Sequence, residues 1–541
     1  MNNKPKVLLV YPGSKSSAAT VPIGLLHIAQ ALLKINIGVS FLHLSTDDIN
    51  KIKFENYLFV GISMLTGKMI LNGLHIAKLI KEFNSKIPIV LGGIHPSMLP
   101  EESLQNEFVD IVVIGEGEET VKELAGCLLN KQDLSGVKGL AYKDANNNIF
   151  VNPPREFIEM DRLDFDLPYE LLGKSFYNPT SLPIHTSRGC PYRCSFCYSP
   201  AFNKRKYRFK SAERVVAEIA YIYKKYNISN FDFGAEDEFF INYNRVCEIF
   251  QSIARKGLKI HWSTFCRFDT FDNAYKKLGD DFPILLKNSG CHFISFGAES
   301  GSQRLLDEII KKDIKIEQIF RTIEVLKKHK IAHRVTFVNC WPTETQEDVN
   351  ATFDVIDKIS YNNPLILVAI FNLTPYPGTE IIELLKKEYN YHPPATLEEW
   401  GNYNIPIALK NITWLTKKYA KICHNISLMG CGAFNKDFES YKKYKEFVYN
   451  TGGGYYDWYL AYIISKIERW RYKKKYFKFM VEAILFIKVI EIYKLSRTYI
   501  INFILKKYLP KSIFKKLKKR FGPKDWEFKF KEKNKDFSSV C

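Results

Sequence analysis

"SRGCPYRCSFCYSP", residues 187–200, sets Cys190, Cys194 and Cys197 within eight positions, with three residues between the first pair and two between the second. Structural zinc takes four closed ligands, and no fourth Cys or His follows Cys197 at finger or ribbon spacing. A compact run of three thiolates suits an iron–sulfur cubane better. Three ligands on four irons leave one iron open to an exogenous molecule and able to pass it an electron. Eleven cysteines in 541 residues are too sparse for a disulfide scaffold, and the start "MNNKPKVLLVYPG" carries no apolar leader. A reducing cytoplasmic setting is the expectation.

The motif heads a series of strand and helix patterns. After "LPIHTSRGC" come "FDFGAEDEFF", "KIHWSTFCRFD", "HFISFGAES", "HRVTFVNCWP" and "LILVAIFNLTPYPGTE", with helical stretches between them. Six or so such units predict a partial or complete β/α barrel over 181–385, with its site at the carboxyl ends of the strands. Upstream, "KVLLVYP" (6–12), "LFVGISM" (58–64), "PIVLGG" (88–93) and "VDIVVIGEGEET" (109–120) alternate with helical patterns over 23–35 and 68–83. That rhythm predicts an amino-terminal doubly wound parallel sheet over 1–140, with a ligand crevice beyond its strands. Glycines at those ends, Gly92, Gly93, Gly115 and Gly117, let the backbone approach a large ligand. Residues 141–180 read as a connector, and 386–460 as a helical extension that walls the substrate pocket. Residues 461–541 read as a basic, amphipathic tail.

With Phe196 before its last cysteine, the run Cys190, Cys194, Cys197 resembles the motif of the radical S-adenosylmethionine superfamily. The resemblance implies that S-adenosylmethionine chelates the open iron of a 4Fe–4S cluster. Reduction by an external electron donor then releases a 5′-deoxyadenosyl radical that takes hydrogen from a substrate. "GAEDEFF" resembles the segment that meets the amino group of S-adenosylmethionine, which makes Glu236 and Asp237 candidates, since a carboxylate pairs with an ammonium. Arg267, at the end of the next strand, is expected to meet a carboxylate. "FGAESGSQRLLDEI" resembles the fourth-strand motif and nominates Glu299 and Ser300 for ribose or methionine contacts. The departure is "VNCWPTETQED", where Asn339, Trp341 and Thr343 replace the small or glycine residues of Gly-x-Pro-Gly-x-Thr. "LTPYPGTE" (373–380) is again typical of the family and reads as a structural turn.

Over residues 5–130, "PxGLxxIAxxL", "VGISMLT", "GGIHPS" and "DIVVIGEGEET" follow in the order of the superfamily's cobalamin-binding class, which this half resembles. The resemblance implies cobalamin contacts from Ser63, Thr66, Gly92, Gly93, Gly115 and Gly117. The Asp-x-His-x-x-Gly run that supplies a lower cobalt ligand elsewhere is missing between Tyr11 and Gly24, so cobalamin is expected without a histidine on cobalt. His27 and His95 read as structural residues.

The net charge of +20 is concentrated in the tail, where Ser465–Lys535 holds 23 Lys/Arg against 6 Asp/Glu. "YFKFMVEAILFIKVIEIYKL" (476–495) is long enough to span a bilayer, but Lys478, Glu482, Lys488, Glu491 and Lys494 interrupt it. Central charges cost about 2.5–3.5 kcal/mol each, so it is not expected to span. "KSIFKKLKKRF" (511–521) gathers Ile513, Phe514, Leu517 and Phe521 on one helical face among basic neighbours. Such a segment suits peripheral attachment to an anionic membrane and a lipid-like or other small apolar substrate. The expected activity is radical methylation of an unactivated carbon, with oxidative cyclisation or rearrangement as the alternative. A nucleic-acid-binding module with a structural metal is the alternative from another class. Against it, the chain has no helix-turn-helix, zinc-finger or RNP pattern.

Overall fold

The computed structural model describes residues 4–13, 21–44, 47, 55–175, 181–235, 237–403, 412–417 and 419–420. Glu236, the tail and most of the extension, and with them the membrane expectation, lie outside the described residues. Among the described residues, no helix is long and apolar enough to cross a membrane.

The amino-terminal sheet grows from short runs of Val, Ile and Leu. These form β1 (Lys6–Tyr11), β2 (Gly38–His43), β3 (Phe59–Ser63), β4 (Ile89–Gly92) and β5 (Ile111–Val113), all parallel. The inner strands are apolar at nearly every position because both faces are covered, as parallel sheets require. On one face the helices Ile23–Lys34 and Glu118–Asn130 bring Leu25, Ala29 and Leu32 against Val121, Leu124 and Ala125 over Leu9 and Phe59. The helix Lys68–Phe83 crosses the other face so closely that a Cβ at Gly73 would stand 2.5 Å from Met64. Residues 140–151, within the stretch read mainly as connector, add an antiparallel hairpin of β6 (Leu140–Lys143) and β7 (Ile149–Val151). The sheet order becomes β2-β1-β3-β4-β5-β6-β7. The hairpin turn is closed by Asp144, whose Oδ1 accepts from the amides of Asn146 and Asn148 at 2.8 Å.

The second sheet begins at β8 (Leu182–Pro183). β9 (Ser187–Arg188) and β10 (Arg208–Phe209) then form a short antiparallel ribbon at the two ends of the cysteine loop. β11 (Asn230–Asp232), β12 (His261–Cys266), β13 (Cys291–Glu299), β14 (Ala332–Asn339) and β15 (Ile366–Asn372) follow. All are parallel, in the order β15-β14-β13-β12-β11-β8, so among the described residues the barrel is partial, with open edges at β15 and β8. Its outer face is sealed by aromatic packing, with Phe250 of helix Tyr243–Arg255 stacked on Trp262 at 4.4 Å. The helix after β14, Gln346–Ser360, starts at a Thr345–Asp348 capping box.

Candidate active site

The cysteine loop is held in shape by the protein alone. Gly189 turns with φ +85°, and a side chain there would collide with the carbonyl of Lys206. Asp237 is the hub: its Oδ2 accepts from Gly189 N (3.0 Å), Ser199 Oγ (3.1 Å) and Asn203 Nδ2 (3.1 Å), and its Oδ1 from Tyr198 Oη (2.9 Å). Nominated for an ammonium ligand, this carboxylate is committed to the loop. Ser195 fastens the middle, donating from N to Ile310 O and from Oγ to Ile309 O, and accepting from Ile381 N. The last bond brings in the strand-end turn "LTPYPGTE".

Cys194 is buried, and Cys190 and Cys197 are half-buried. Burial pushes the Cys190 and Cys197 thiols up to about 12. A metal held here would have to expel their protons, its charge offsetting the desolvated thiolates. Two buried cations flank them. Arg267 points Nη1 at Cys194 Sγ, 3.3 Å away, while Asp269 grips its other nitrogens and its guanidinium lies 3.5 Å over the Tyr192 ring. The carboxylate that Arg267 meets within the chain is thus Asp269. Lys312 pairs with Glu299 at 2.8 Å, both nearly sealed from solvent. Glu299 sits at a register shift of β13 with φ +61°, which turns its carboxylate back over Gly297. Ser300 is buried, with its Oγ 3.3 Å from Thr352 Oγ1 and accepting from Ser302 N. Trp341, at the departure from the family pattern, packs edge-on against Phe196 at 5.5 Å and donates Nε1 to Val338 O. Cys340 and Thr343 beside it take φ of +68° and +63°, the left-handed backbone that favours glycine.

Beyond the carboxyl ends of β3, β4 and β5 lies a cavity of about 430 Å³. Ser63, Gly92, Gly93, Gly115 and Gly117 line it from the first sheet, and His185, Ser187, Arg188, Tyr198 and Asp237 from the cysteine module. The glycines divide by role. A Cβ at Gly24, Gly92 or Gly115 would meet nothing within 4 Å, so these three front open space, the kind of cradle a flat macrocycle needs. A Cβ at Gly93 would stand 2.7 Å from Met64 O, and one at Gly117 2.9 Å from Ile28, so these two serve close packing. Thr66 is turned aside, its Oγ1 2.9 Å from His95 Nδ1. His95 is buried edge-on to Trp400, and burial lowers its pKa to about 4. His27 is also buried, and neither histidine lines the cavity. Substituting Gly92 by Leu is expected to abolish cobalamin uptake, read from the absorbance of the bound corrin. The melting temperature should hardly change, because the new side chain enters empty space.

One constellation was not anticipated from sequence. Arg188, two residues before Cys190, bridges Glu116 (3.1 Å) and Glu118 (2.6 Å) of the first module. Arg208 meets Glu116 as well, at 2.7 Å. Burial alone would raise the Glu116 carboxyl, but Arg188 and Arg208 outweigh it and hold it below its usual range.

A parallel sheet ending in an open glycine crevice, facing a barrel that opens on a three-cysteine loop, defines a radical enzyme with a corrin module. The profile of the Radical SAM superfamily matches residues 184–356, and that of the B12 binding domain matches residues 13–125. The chain is 34% identical to an uncharacterized methyltransferase of Pyrococcus horikoshii over 70% of its own length and 82% of that protein's. It is 26% identical to the anaerobic magnesium-protoporphyrin IX monomethyl ester cyclase of Rubrivivax gelatinosus, over 70% of each. In fold it resembles the radical S-adenosylmethionine methyltransferase TsrM from Kitasatospora setae, solved with tryptophan and an aza analogue of S-adenosylmethionine. That likeness has a TM-score of 0.60 at 21% identity and covers 71% of this chain and 76% of that one. The chain belongs to the radical S-adenosylmethionine superfamily, in its cobalamin-dependent class; it is an enzyme whose cofactors are a 4Fe–4S cluster, S-adenosylmethionine and cobalamin.

Proposed function

We propose that this enzyme methylates an unactivated carbon of a small, apolar or lipid-like molecule. The observation that carries the reading is the single cavity bounded by Gly92 and Gly115 on one side and by Tyr198 and Asp237 of the cysteine loop on the other. When bound, the cluster with S-adenosylmethionine supplies a hydrogen-abstracting radical and cobalamin supplies a transferable methyl group. The chain's own residues bind and shield. Cys190, Cys194 and Cys197 hold the cluster, Asp237 fixes their loop, and Arg267 and Lys312 offset its negative charge. Glu236, Glu299 and Ser300 contact S-adenosylmethionine, and no His27 or His95 side chain reaches the metal of the corrin. The preference for an apolar substrate is supported by the amphipathic tail, through which the enzyme would sit on an anionic membrane.

Anaerobic reconstitution with iron, sulfide and cobalamin, followed by reductant and S-adenosylmethionine, tests the reaction. Formation of both 5′-deoxyadenosine and S-adenosylhomocysteine is the result expected. The first product alone would favour oxidative cyclisation, the second reading, which the likeness to the protoporphyrin ester cyclase supports. For the tail, full-length protein should sediment with anionic vesicles at low salt, and a chain ending at residue 464 should not.

A further inference from the structure

The inner face of the partial barrel carries a charge that the steps above leave unused. Side chains alternate along its strands. Cys266, Phe296, Val335 and Val368, one matched row, are buried on the helix side, where the Phe296 ring lies 4.7 Å from that of Phe268. The neighbouring row, Phe265, Ser295, Arg334 and Leu367, therefore turns inward. In it Arg334 donates from Nε to Ser295 Oγ at 2.9 Å, and its guanidinium lies 5.6 Å from the Phe265 ring centroid. Among the described residues, its two Nη groups have no acceptor. A guanidinium keeps its charge in any protein setting, and its outer fork matches a carboxylate or phosphate.

Around this fork the inner face carries small side chains and exposed aromatic rings. One step along the strands the inner face carries the small residues Gly297, Thr336 and Ala369, about 7 Å from the Arg334 row. Beyond that step stands the Glu299–Lys312 pair, close enough to Gly297 that a Cβ there would lie 2.8 Å from Lys312 Nζ. The aromatic walls are open. Phe265, on the inner strand β12, is 45% exposed, and Phe371, on the inner face of the edge strand β15, is 44% exposed.

We propose that Arg334 anchors an anionic group of the substrate, a carboxylate or phosphate, while the substrate's apolar body lies along Phe265 and Phe371 toward the cluster. The inference rests on the methyl-transfer reading for the fate of the bound molecule, and it makes that molecule an amphipathic anion rather than a neutral lipid. Ser295 is the positioning residue, fixing the fork through Nε.

Two probes that share one aromatic body, 1-anilinonaphthalene-8-sulfonate and the uncharged N-phenyl-1-naphthylamine, test this by fluorescence titration of the full-length protein. Arg334→Gln is expected to weaken the sulfonate probe about tenfold or more, the range of a charge-assisted hydrogen bond, and to leave the neutral probe within about twofold. Phe265→Ala should weaken both. Arg334→Lys, which keeps the charge without the fork, should fall between wild type and Arg334→Gln for the sulfonate probe alone. If Arg334→Gln does not fold, Ser295→Ala and Arg334→Lys carry the test, each losing affinity for the sulfonate probe only. Wild type that binds neither probe overturns the proposal, as does sulfonate binding unmoved by these Arg334 and Ser295 changes. Neither probe needs reductant or S-adenosylmethionine, so failure here leaves the reconstitution result intact, and failure there leaves this binding intact.

Discussion

Alanine in place of any one of Cys190, Cys194 or Cys197 is expected to strip the protein of its cluster and stop 5′-deoxyadenosine formation. Losing a partner around a metal ligand already costs about 10- to 100-fold, and losing the ligand itself should exceed that. The loop would survive, because Asp237 and Ser195 hold it without the thiols. Iron content and the charge-transfer absorbance of reconstituted variants are the measurements. Cys127, Cys247, Cys266, Cys291 and Cys340, along with Cys423, Cys431 and Cys541 outside the described residues, should be dispensable. A motif variant with full iron content and absorbance would refute the assignment.

The second large effect is on stability. Arg188→Met removes the partner of Glu118 and one of the two partners of Glu116, in a place where these side chains are only 9–15% exposed. Arg208 remains for Glu116. Among the described residues Glu118 keeps no cation, and breaking a buried pair by removing one partner costs about 3–5 kcal/mol. Denaturant midpoints should record that loss. Adding Glu118→Gln to Arg188→Met should recover a large part of it, because the stranded charge is gone. If the single variant is as stable as wild type, the buried bridge contributes little.

Most strands of both sheets were legible because they are short apolar runs ending in Gly or in polar loops, and Gly92 and Gly115 stood out for the same reason; β2, an edge strand of mixed polarity, was not. The thiol motif was legible because its three cysteines are neighbours in sequence. What escaped was set by distant partners. Arg188 reads as an ordinary basic residue until Glu116 and Glu118, some 70 positions earlier, are placed beside it. Asp237 reads as a ligand contact until the folded loop delivers four donors to its carboxylate. Thr66 follows Ser63 three residues past the end of β3, yet His95 on the short helix after β4 draws its hydroxyl away from the crevice. The hairpin over 140–151 was missed because "KDANNN" looks like linker composition, although Asp144 followed by asparagines is also the chemistry of a tight turn.

One cavity with a wall from each module has a consequence for heredity. An enzyme assembled by joining an independent corrin carrier to an independent barrel would tolerate exchange of either half by recombination. Here the two halves meet through charges that are silent only in each other's company: Glu116 and Glu118 on one side, Arg188 and Arg208 on the other. A chimera that took its first 150 residues from another lineage without acidic side chains at those two places would leave Arg188 and Arg208 without their carboxylates. The halves are therefore expected to be inherited as one unit, and new substrates to be acquired by changing side chains on the barrel's inner face, such as Phe265, Arg334 and Phe371, rather than by shuffling modules.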